Sequence, residues 1–582
     1  MPRNRTIPLS RTPSVVSSTI KINGEEIART FLVHSIVVNK EINRIPRAKV
    51  MLIDGDSSSG NFRASNDTLF IPGNEIEILA GYQRDILPIF KGVVIKHSIK
   101  IRNDGSSVLI IECRDKTWKM TTARKSKHFY QISDSDIFTN IGDEYNGIET
   151  QSESTSVTHE ELVQFQTTDW DFLVTRAEVN GKMCMVDDGL LEIKSPDLTQ
   201  DAALSLVYGA TILELDAEMD GRSQLQDSSA RSWDYAEQQV IEAEPTAATV
   251  SLNGNISSEE LAQAMGHQPY VQVHGGRRVE SELQNWSNAL KLKRELAKIR
   301  GRVKCTGVHD VKPGRMIELE GIGERFNGKT FVSGIQHHIA DGTWQMDIQF
   351  GCDPEWFSEK HTTGAHPASG LLAAVNGLQV GIADQLNDPS GEDRIRIRLP
   401  LASTSDATVW ARMASLDAGP ERGAFFRPEI GDEVIVGFIN DDPRDAVILG
   451  MLNSSAKPAP LRANDDNHQK GFVTRSGIRM VFDDDEKSVT IETPGGKKIT
   501  ADEDENLISL SDEHGNSITM NEEGIQMESA GEIKIKASQD LILEGMKVDI
   551  NAHTSLTAQG SSGTTINSSA ITEIKGSLVK IN

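Results

Sequence analysis

The sequence predicts a mainly β chain in several parts, closing with a rod of very short stacked strands. Three observations carry that prediction. Toward the C-terminus, pairs of apolar residues separated by one residue recur: Ile518 and Met520, Ile525 and Met527, Ile533 and Ile535, Leu541 and Leu543, Val548 and Ile550, Leu556 and Ala558. They follow one another at about seven or eight residues, the one-face signal of short strands. The composition is 37% hydrophobic but only 5% aromatic, which suits β modules with small side chains better than a large enzyme core. Between 372 and 453, five strand signals fall within about 80 residues, the density of a small closed barrel of the OB type.

At 582 residues the chain is too long for a single core and should divide into three or more domains. From 15 to 125 it reads as strands punctuated by turns at Asn23-Gly24, Asp54-Gly55, Pro72-Gly73 and Asp104-Gly105. A mixed segment follows to about 222. In it Thr168 is placed to cap a helix, DWDFLVTRAEV, that stops at Asn180-Gly181. Residues 225–275 read as irregular and polar. Leu283, Trp286, Leu290 and Leu296 have helical spacing with flanking charge, so 279–301 reads as a surface helix. Strands resume over 314–350, and 353–370 reads as a linker.

The barrel segment has strand signals in GLQVGIADQ, RIRIRLP, VWARMAS, EVIVGFIN and AVILGML, followed by a Pro-containing connector over 454–470. In the tail, the stretch 480–550 is rich in Asp and Glu, whereas 552–572 contains no Asp, Glu, Lys or Arg. Strands this short bury no core alone. They must stack, and a fixed period points to stacking with copies of the same chain. A disordered low-complexity tail is the plainer alternative, but the continuing spacing of Ile566, Ile571, Ile574, Val579 and Ile581 argues against it.

The net charge of -25, without a basic stripe, argues against nucleic acid as a partner. The four cysteines, Cys113, Cys184, Cys305 and Cys352, form no CxxC and read as buried free thiols. The N-terminal residues lack the apolar stretch of a secretory signal, and no apolar run is long enough for a membrane-spanning helix.

Particular motifs resemble a known family. RIRIRLP (394–400), VWARMA (409–414), FRPEIGDEVIV (426–436), the Asp-Asp-Pro at 441–443 and Ile-Leu-Gly at 448–450 are similar to the collar of VgrG proteins, the central spikes of contractile injection machines. QTTDWDFL (166–173) and the run IELEG, RFNG and VSG between 317 and 334 resemble landmarks of the same family, in the same order. The resemblance implies a phage-hub-like double-barrel base over 1–365, a linker and OB-fold collar over 366–453, a connector over 454–472, and an intertwined trimeric β-helix needle over 473–582. It implies a non-enzymatic homotrimer at the tip of a tube, with a hexameric inner-tube protein, baseplate proteins and a PAAR-like tip protein as partners. It further implies assembly in the bacterial cytoplasm, transient passage through a target membrane and no cofactor. MLNSSAKPAP (451–460) and the lack of an effector segment look more like the extracellular, phage-tail-like subgroup than the membrane-anchored type VI system.

The residues expected to carry this role fall in three groups. Ile518, Met520, Ile525, Met527, Ile533, Ile535, Leu541, Leu543, Val548 and Ile550 would line the needle axis. Val579, Lys580, Ile581 and Asn582 would meet the tip protein. Pro428, Gly431, Asp432, Glu433, Val434, Asp442, Pro443 and Gly450 form the collar motif.

No catalytic or metal-binding residue is expected. His337 and His338 fall in strand-like sequence and should face opposite ways, a poor pair of ligands. The acidic runs at 483–486 and 502–505 lack the spacing of an EF-hand loop and read as solvated turns. GxSxG, Walker A and HExxH are absent. The rival readings are a trimeric tailspike-like adhesin or enzyme for surface glycans, and the hub of a contractile phage. A glycan groove needs aromatic platforms, and with 7 Trp and 6 Tyr in the chain, none beyond Trp410, the rod has neither.

Overall fold

The computed structural model describes residues 15–83, 85–246, 252–402 and 408–581. By its contacts the chain divides into a unit that runs up to Gln379 and takes in 409–411 and 437–447, and a second unit holding the rest.

The strands expected on either side of the mixed segment join one sheet. Its path runs Glu214–Met219, Ile299–Thr306, Thr343–Phe350, Gly328–Ala340, Leu32–Glu41, Arg47–Ile53, Ser107–Arg114, Asp85–Ile101, Glu75–Tyr82, Val16–Ile22 and Glu25–Glu26. Leu32–Glu41 and Gly328–Ala340 pair antiparallel, with Val38 opposite His337, so the early and late strands of the unit are neighbours. Two apolar cores grow on this sheet. One gathers Ile36, Val50, Leu52, Ile78, Phe90, Leu109 and Ile111. The other gathers Val303, Ile317, Leu319, Val332, Met346 and Ile348. The double-barrel expectation therefore takes the form of two cores on one continuous sheet. Each fully buried Ile, Leu or Phe contributes about 1.5–3 kcal/mol to its core.

Between the halves sits the mixed segment. Helix Asp169–Val179 begins where the sequence places it, with the Thr168 hydroxyl accepting the Asp171 N–H at 3.1 Å. It packs Trp170, Leu173 and Val174 with Ile137, Phe138 and Ile141 of helix Asp134–Asp143. Residues 225–275 depart from expectation. They contain strands Ser228–Asp234, Gln239–Ala243 and Tyr270–His274, and helix Ser258–Met265. The strands mix Ser and Arg with apolar residues, which blurs the period, whereas the Ser257–Glu260 capping box was readable. The predicted surface helix spans Glu280–Leu296 and is not purely a surface element. It buries Leu283, Leu290 and Leu296, and a strand has begun by Ile299.

The five strands expected after residue 372 form a closed barrel in the order Gln379–Gln385, Ile395–Arg398, Thr408–Met413, Ala446–Met451, Glu433–Phe438. Alternate residues point inward, and Ile395, Ile397, Val434, Val436 and Ile448 are all buried. A small barrel has little room inside: a Cβ added to Gly381 would meet Val436 at 3.0 Å.

The tail opens as a seven-stranded antiparallel ladder in which consecutive strands are neighbours: Gln469–Val473, Arg479–Asp483, Ser488–Glu492, Lys498–Asp502, Leu507–Ser511, Ser517–Asn521 and Gly524–Glu528. Along one edge the same turn returns every 19 residues. At Gly477, Gly496 and Gly515 the backbone is left-handed, with φ of 87°, 89° and 84°. Each of these N–H groups donates to the carbonyl three residues earlier, on Thr474, Thr493 and Asp512. Glycine suits that conformation because it has no Cβ to clash. The sequence led to an expectation of pairing between chains along the whole rod. Over 469–528 consecutive strands of one chain are ladder partners, which five-residue strands joined by tight turns allow. Among the described residues, 529–581 contain no strand.

Candidate functional site

In a strand, successive side chains point to opposite faces, so the ladder's register decides which residues share a surface. Met480 stands opposite Ile491, Ile491 opposite Ile499, Ile499 opposite Leu510, Leu510 opposite Ile518, and Ile518 opposite Met527. Beside this column runs a second: Phe482, Val489, Ala501, Ile508, Met520 and Ile525. The reverse face carries Thr490, Thr500, Ser509, Thr519 and Gln526. The ladder is thus apolar on one side and mostly hydroxylated on the other.

Little in the single chain covers the apolar side. Phe482, Ile491, Ile499, Ile508, Leu510 and Met520 are all exposed, and Ile525 is 69% exposed. From 452 to 581, the one buried residue among those described is Thr500, on the hydroxyl face. A contiguous apolar surface of this kind marks an interaction site.

Polar clips hold the turns in step along the ladder. Lys487 pairs with Asp504 at 2.8 Å, and the Asn506 side-chain amide donates to Glu522 at 3.2 Å on the same edge. On the opposite edge Lys497 pairs with Glu513 at 2.6 Å. The acidic runs expected to be solvated turns sit here. Asp483 accepts the backbone N–H groups of Asp485 and Glu486, and Asp502 that of Glu505.

The collar motif builds the approach to the ladder. Gly431 adopts φ +90° and donates its N–H to Ala383 at 2.7 Å. The carbonyl of Asp432 accepts from Ala383, and its carboxylate accepts from the Glu429 N–H, both at 2.9 Å. Lys457 reaches Asp432 at 3.1 Å, and Arg475 of the first ladder turn pairs with Glu429 at 2.7 Å. Phe426 stacks on Phe472, with centroids 5.0 Å apart and rings nearly parallel. Pro428 and Val434 are buried, and Glu433 opens the following strand. Elsewhere, hydrogen bonds from the Arg444 side chain and backbone N–H hold Asp442 at about 2. Pro443 follows it, and Gly450 lies in strand Ala446–Met451.

Of the residues expected at the needle axis, the structure brings Ile518, Met520, Ile525 and Met527 together on the apolar face. Ile533, Ile535, Leu541, Leu543, Val548 and Ile550 are exposed and lie outside any strand, so a single chain does not assemble them. Val579, Lys580 and Ile581 are exposed too. Asn582 lies outside the described residues. Sequence reasoning passed over Met480, Phe482, Val489, Ile491, Ile499, Ile508 and Leu510, which form most of the face. Their one-residue spacing was visible, but the long acidic turns between them masked it.

Among the buried charges of the base, Asp134 is heavily engaged. Asp134 accepts Arg176 Nε and Nη2 at 2.8 Å each and Asn180 Nδ2 at 2.9 Å, and lies 2.9 Å from His159 Nε2. Burial alone would raise its pKa, yet these partners outweigh that and hold the carboxylate well below its usual range. A carboxylate held so far below its usual range is a poor general base near neutral pH. His337 is buried and His338 exposed, as strand alternation requires. The His337 Nδ1 accepts from Trp344 Nε1 at 3.2 Å. Burial, then Lys40 and His309, push His337 down to about 3. All four cysteines are buried, and burial pushes Cys305 and Cys352 up to about 12, far from thiolate reactivity. Among the described residues no cluster of three or more His, Cys, Asp or Glu is placed to hold a metal ion.

Comparison with known proteins agrees with the collar. Residues 379–452 match the type VI secretion system/phage-baseplate injector OB domain. VgrG1a of Pseudomonas aeruginosa, a type VI secretion spike protein, is 24% identical over 224 residues, 36% of this chain and 33% of that protein. VgrG3 of Vibrio cholerae is 30% identical over 99 residues, 15% of this chain and 10% of its own length. The chain thus spans at most about a third of these relatives. Among solved structures, the E. coli c3393 protein, a type VI secretion component, superposes with a TM-score of 0.37 at 12% identity, covering 74% of this chain and 99% of that one. Residues 12–341, more than half of the sequence, match the Alg8 N-terminal domain, and the chain belongs to that family, with VgrG spike proteins among its relatives.

Proposed function

We propose that this chain is the spike of a contractile injection machine, and that three copies join through the apolar face of the ladder. The exposed two-column face carries the reading. Its five inner strands are paired on both sides within each chain, so what is left to satisfy along them is side-chain burial, and two further copies supply it. Beyond residue 528, where one chain forms no strands, the apolar pairs from Ile533 to Ile550 become an axis only when three chains wind together. The spike acts by stiffness and shape, without catalysis. The base, over about 1–365, seats on a hexameric tube and baseplate, the collar over 366–453 leads through the connector at 454–472, and the needle runs from 473. Val579, Lys580 and Ile581 meet a small PAAR-like cap. The assembled particle acts outside the producing cell, where the needle crosses a target membrane.

The test is the mass and shape of the full chain, by light scattering and electron microscopy. The expected result is a three-fold ring bearing one narrow needle. Monomers with a loose tail would overturn the reading. Ile535→Asp or Leu543→Asp should abolish the distal needle, since each buries three carboxylates beside one axis. A variant that still forms heat-resistant trimers would remove the axial packing from the proposal.

A further inference from the structure

The base holds a cavity of about 600 Å³ that none of the spike's expected contacts uses. Arg47 and Arg114 line it from adjacent strands, directly opposite each other in register. Residues so placed have Cβ atoms roughly 4.5–5.5 Å apart, and like charges there repel. In a chain of net charge -25, two guanidiniums facing one space would be expected to find carboxylates. Among the described residues, none lies within ion-pair distance of either. Glu41, which also lines the cavity, is taken by Arg44 at 3.1 Å, and Glu112, two residues before Arg114, is taken by Lys96 at 3.1 Å. Asp171 contributes to the wall but reaches neither arginine. Burial, and then Arg47, lower the Arg114 pKa, and Glu112 offsets this only in part.

A third donor points to the same need. The indole Nε1 of Trp118 is buried and has no hydrogen-bond partner, and Trp118 lines this cavity. A buried donor left unpaired costs about 1–3 kcal/mol, so native structures usually meet one with protein, ordered water or a bound group. Trp118, Trp170 and Phe357 give the cavity aromatic walls. Its volume is that of a small-molecule site, larger than a bare ion requires.

We infer that this cavity binds a small organic oxyanion, a carboxylate or phosphate on a flat apolar body, held by Arg47, Arg114 and the Trp118 indole N–H. The two guanidiniums form charge-assisted hydrogen bonds to the oxyanion while the aromatic rings flank its body. The inference does not rest on assembly into a spike, because every residue named lies in the base.

Titrating the full chain at low salt with phenyl phosphate, benzoate and neutral benzamide tests it, with tryptophan fluorescence and calorimetry as readouts. At least one anion should saturate and benzamide should not; whether benzoate or phenyl phosphate binds more tightly identifies the preferred oxyanion. The double variant Arg47→Met and Arg114→Met should weaken binding at least tenfold without lowering the melting temperature, since it relieves repulsion. If that variant does not fold, Trp118→Phe should weaken binding severalfold. Failure of both anions to saturate, benzamide binding as well as the anions, or unchanged affinity in the folded variant would each overturn the assignment.

Discussion

The base and the tail ladder are both antiparallel β, yet they solve burial in opposite ways. In the base, two cores gather large apolar side chains with almost no exposure, and even charged groups such as Asp134 are enclosed with their partners. In the tail, from 452 to 581, the one buried residue among those described is a threonine. Hydrogen bonding does not make the difference, because the strands are paired in both. What differs is strand length and layering. The base's strands run up to 17 residues and its sheet carries packed helices and loops, whereas the ladder's five-residue strands form a single layer with little among the described residues against the apolar side. The base buries its own apolar side chains. The ladder is an open half of a core.

That contrast can be broken from either side. The largest effect is expected from Ile508→Asp, which places a charge at the middle of the apolar face. Trimer mass should be lost altogether while the melting of the base stays unchanged, a pairing that light scattering and calorimetry read together. Arg176→Met should do the reverse. It leaves the buried Asp134 carboxylate short of its main partner, which should destabilise the base by about 3–5 kcal/mol in denaturant titrations without changing the number of chains per particle. A smaller, graded effect should come from acid. Because His337 is held at about 3 in the fold against an ordinary value near 6.5, its contribution is intact above pH 6.5. It is lost progressively as pH falls from there toward 3, by up to about 1.4 kcal/mol per pH unit. His337→Gln, which retains an acceptor for Trp344, should flatten that part of the pH–melting profile. The smallest effect belongs to Lys487→Ala. The ion pair with Asp504 is exposed and salt-screened, so particle mass and melting should both be indistinguishable from the parent. A clear loss would show that the turns, and not the apolar face, hold the ladder.

How far the sequence could be read followed the same division. Alternation named the base strands, the five barrel strands and the capped helix at Thr168, because each of these is long or bounded by turn residues. The motif around Gly431 pointed to the collar, and the structure gives it a physical reason: a left-handed glycine whose N–H reaches Ala383 while neighbouring Phe426 and Glu429 reach the ladder. Three things were hidden. Short strands with alternating Ser and Arg, as in Ser228–Asp234, carry no clear period. Register, which sets Met480 against Ile491 and so builds a face, exists only once turns are formed. The opposition of Arg47 and Arg114 joins residues far apart in the chain, and no local pattern announces it.

The turn that returns at Gly477, Gly496 and Gly515 makes the ladder a ruler with discrete marks. One 19-residue unit contains two strands, so its insertion or deletion returns the chain to the same edge, in the same direction, with the same columns facing the same way. Each such unit changes the length by about 9–10 Å, two inter-strand spacings. Half a unit would reverse the chain and send the next segment off the wrong edge. Variation in reach among chains of this design is therefore restricted to whole steps.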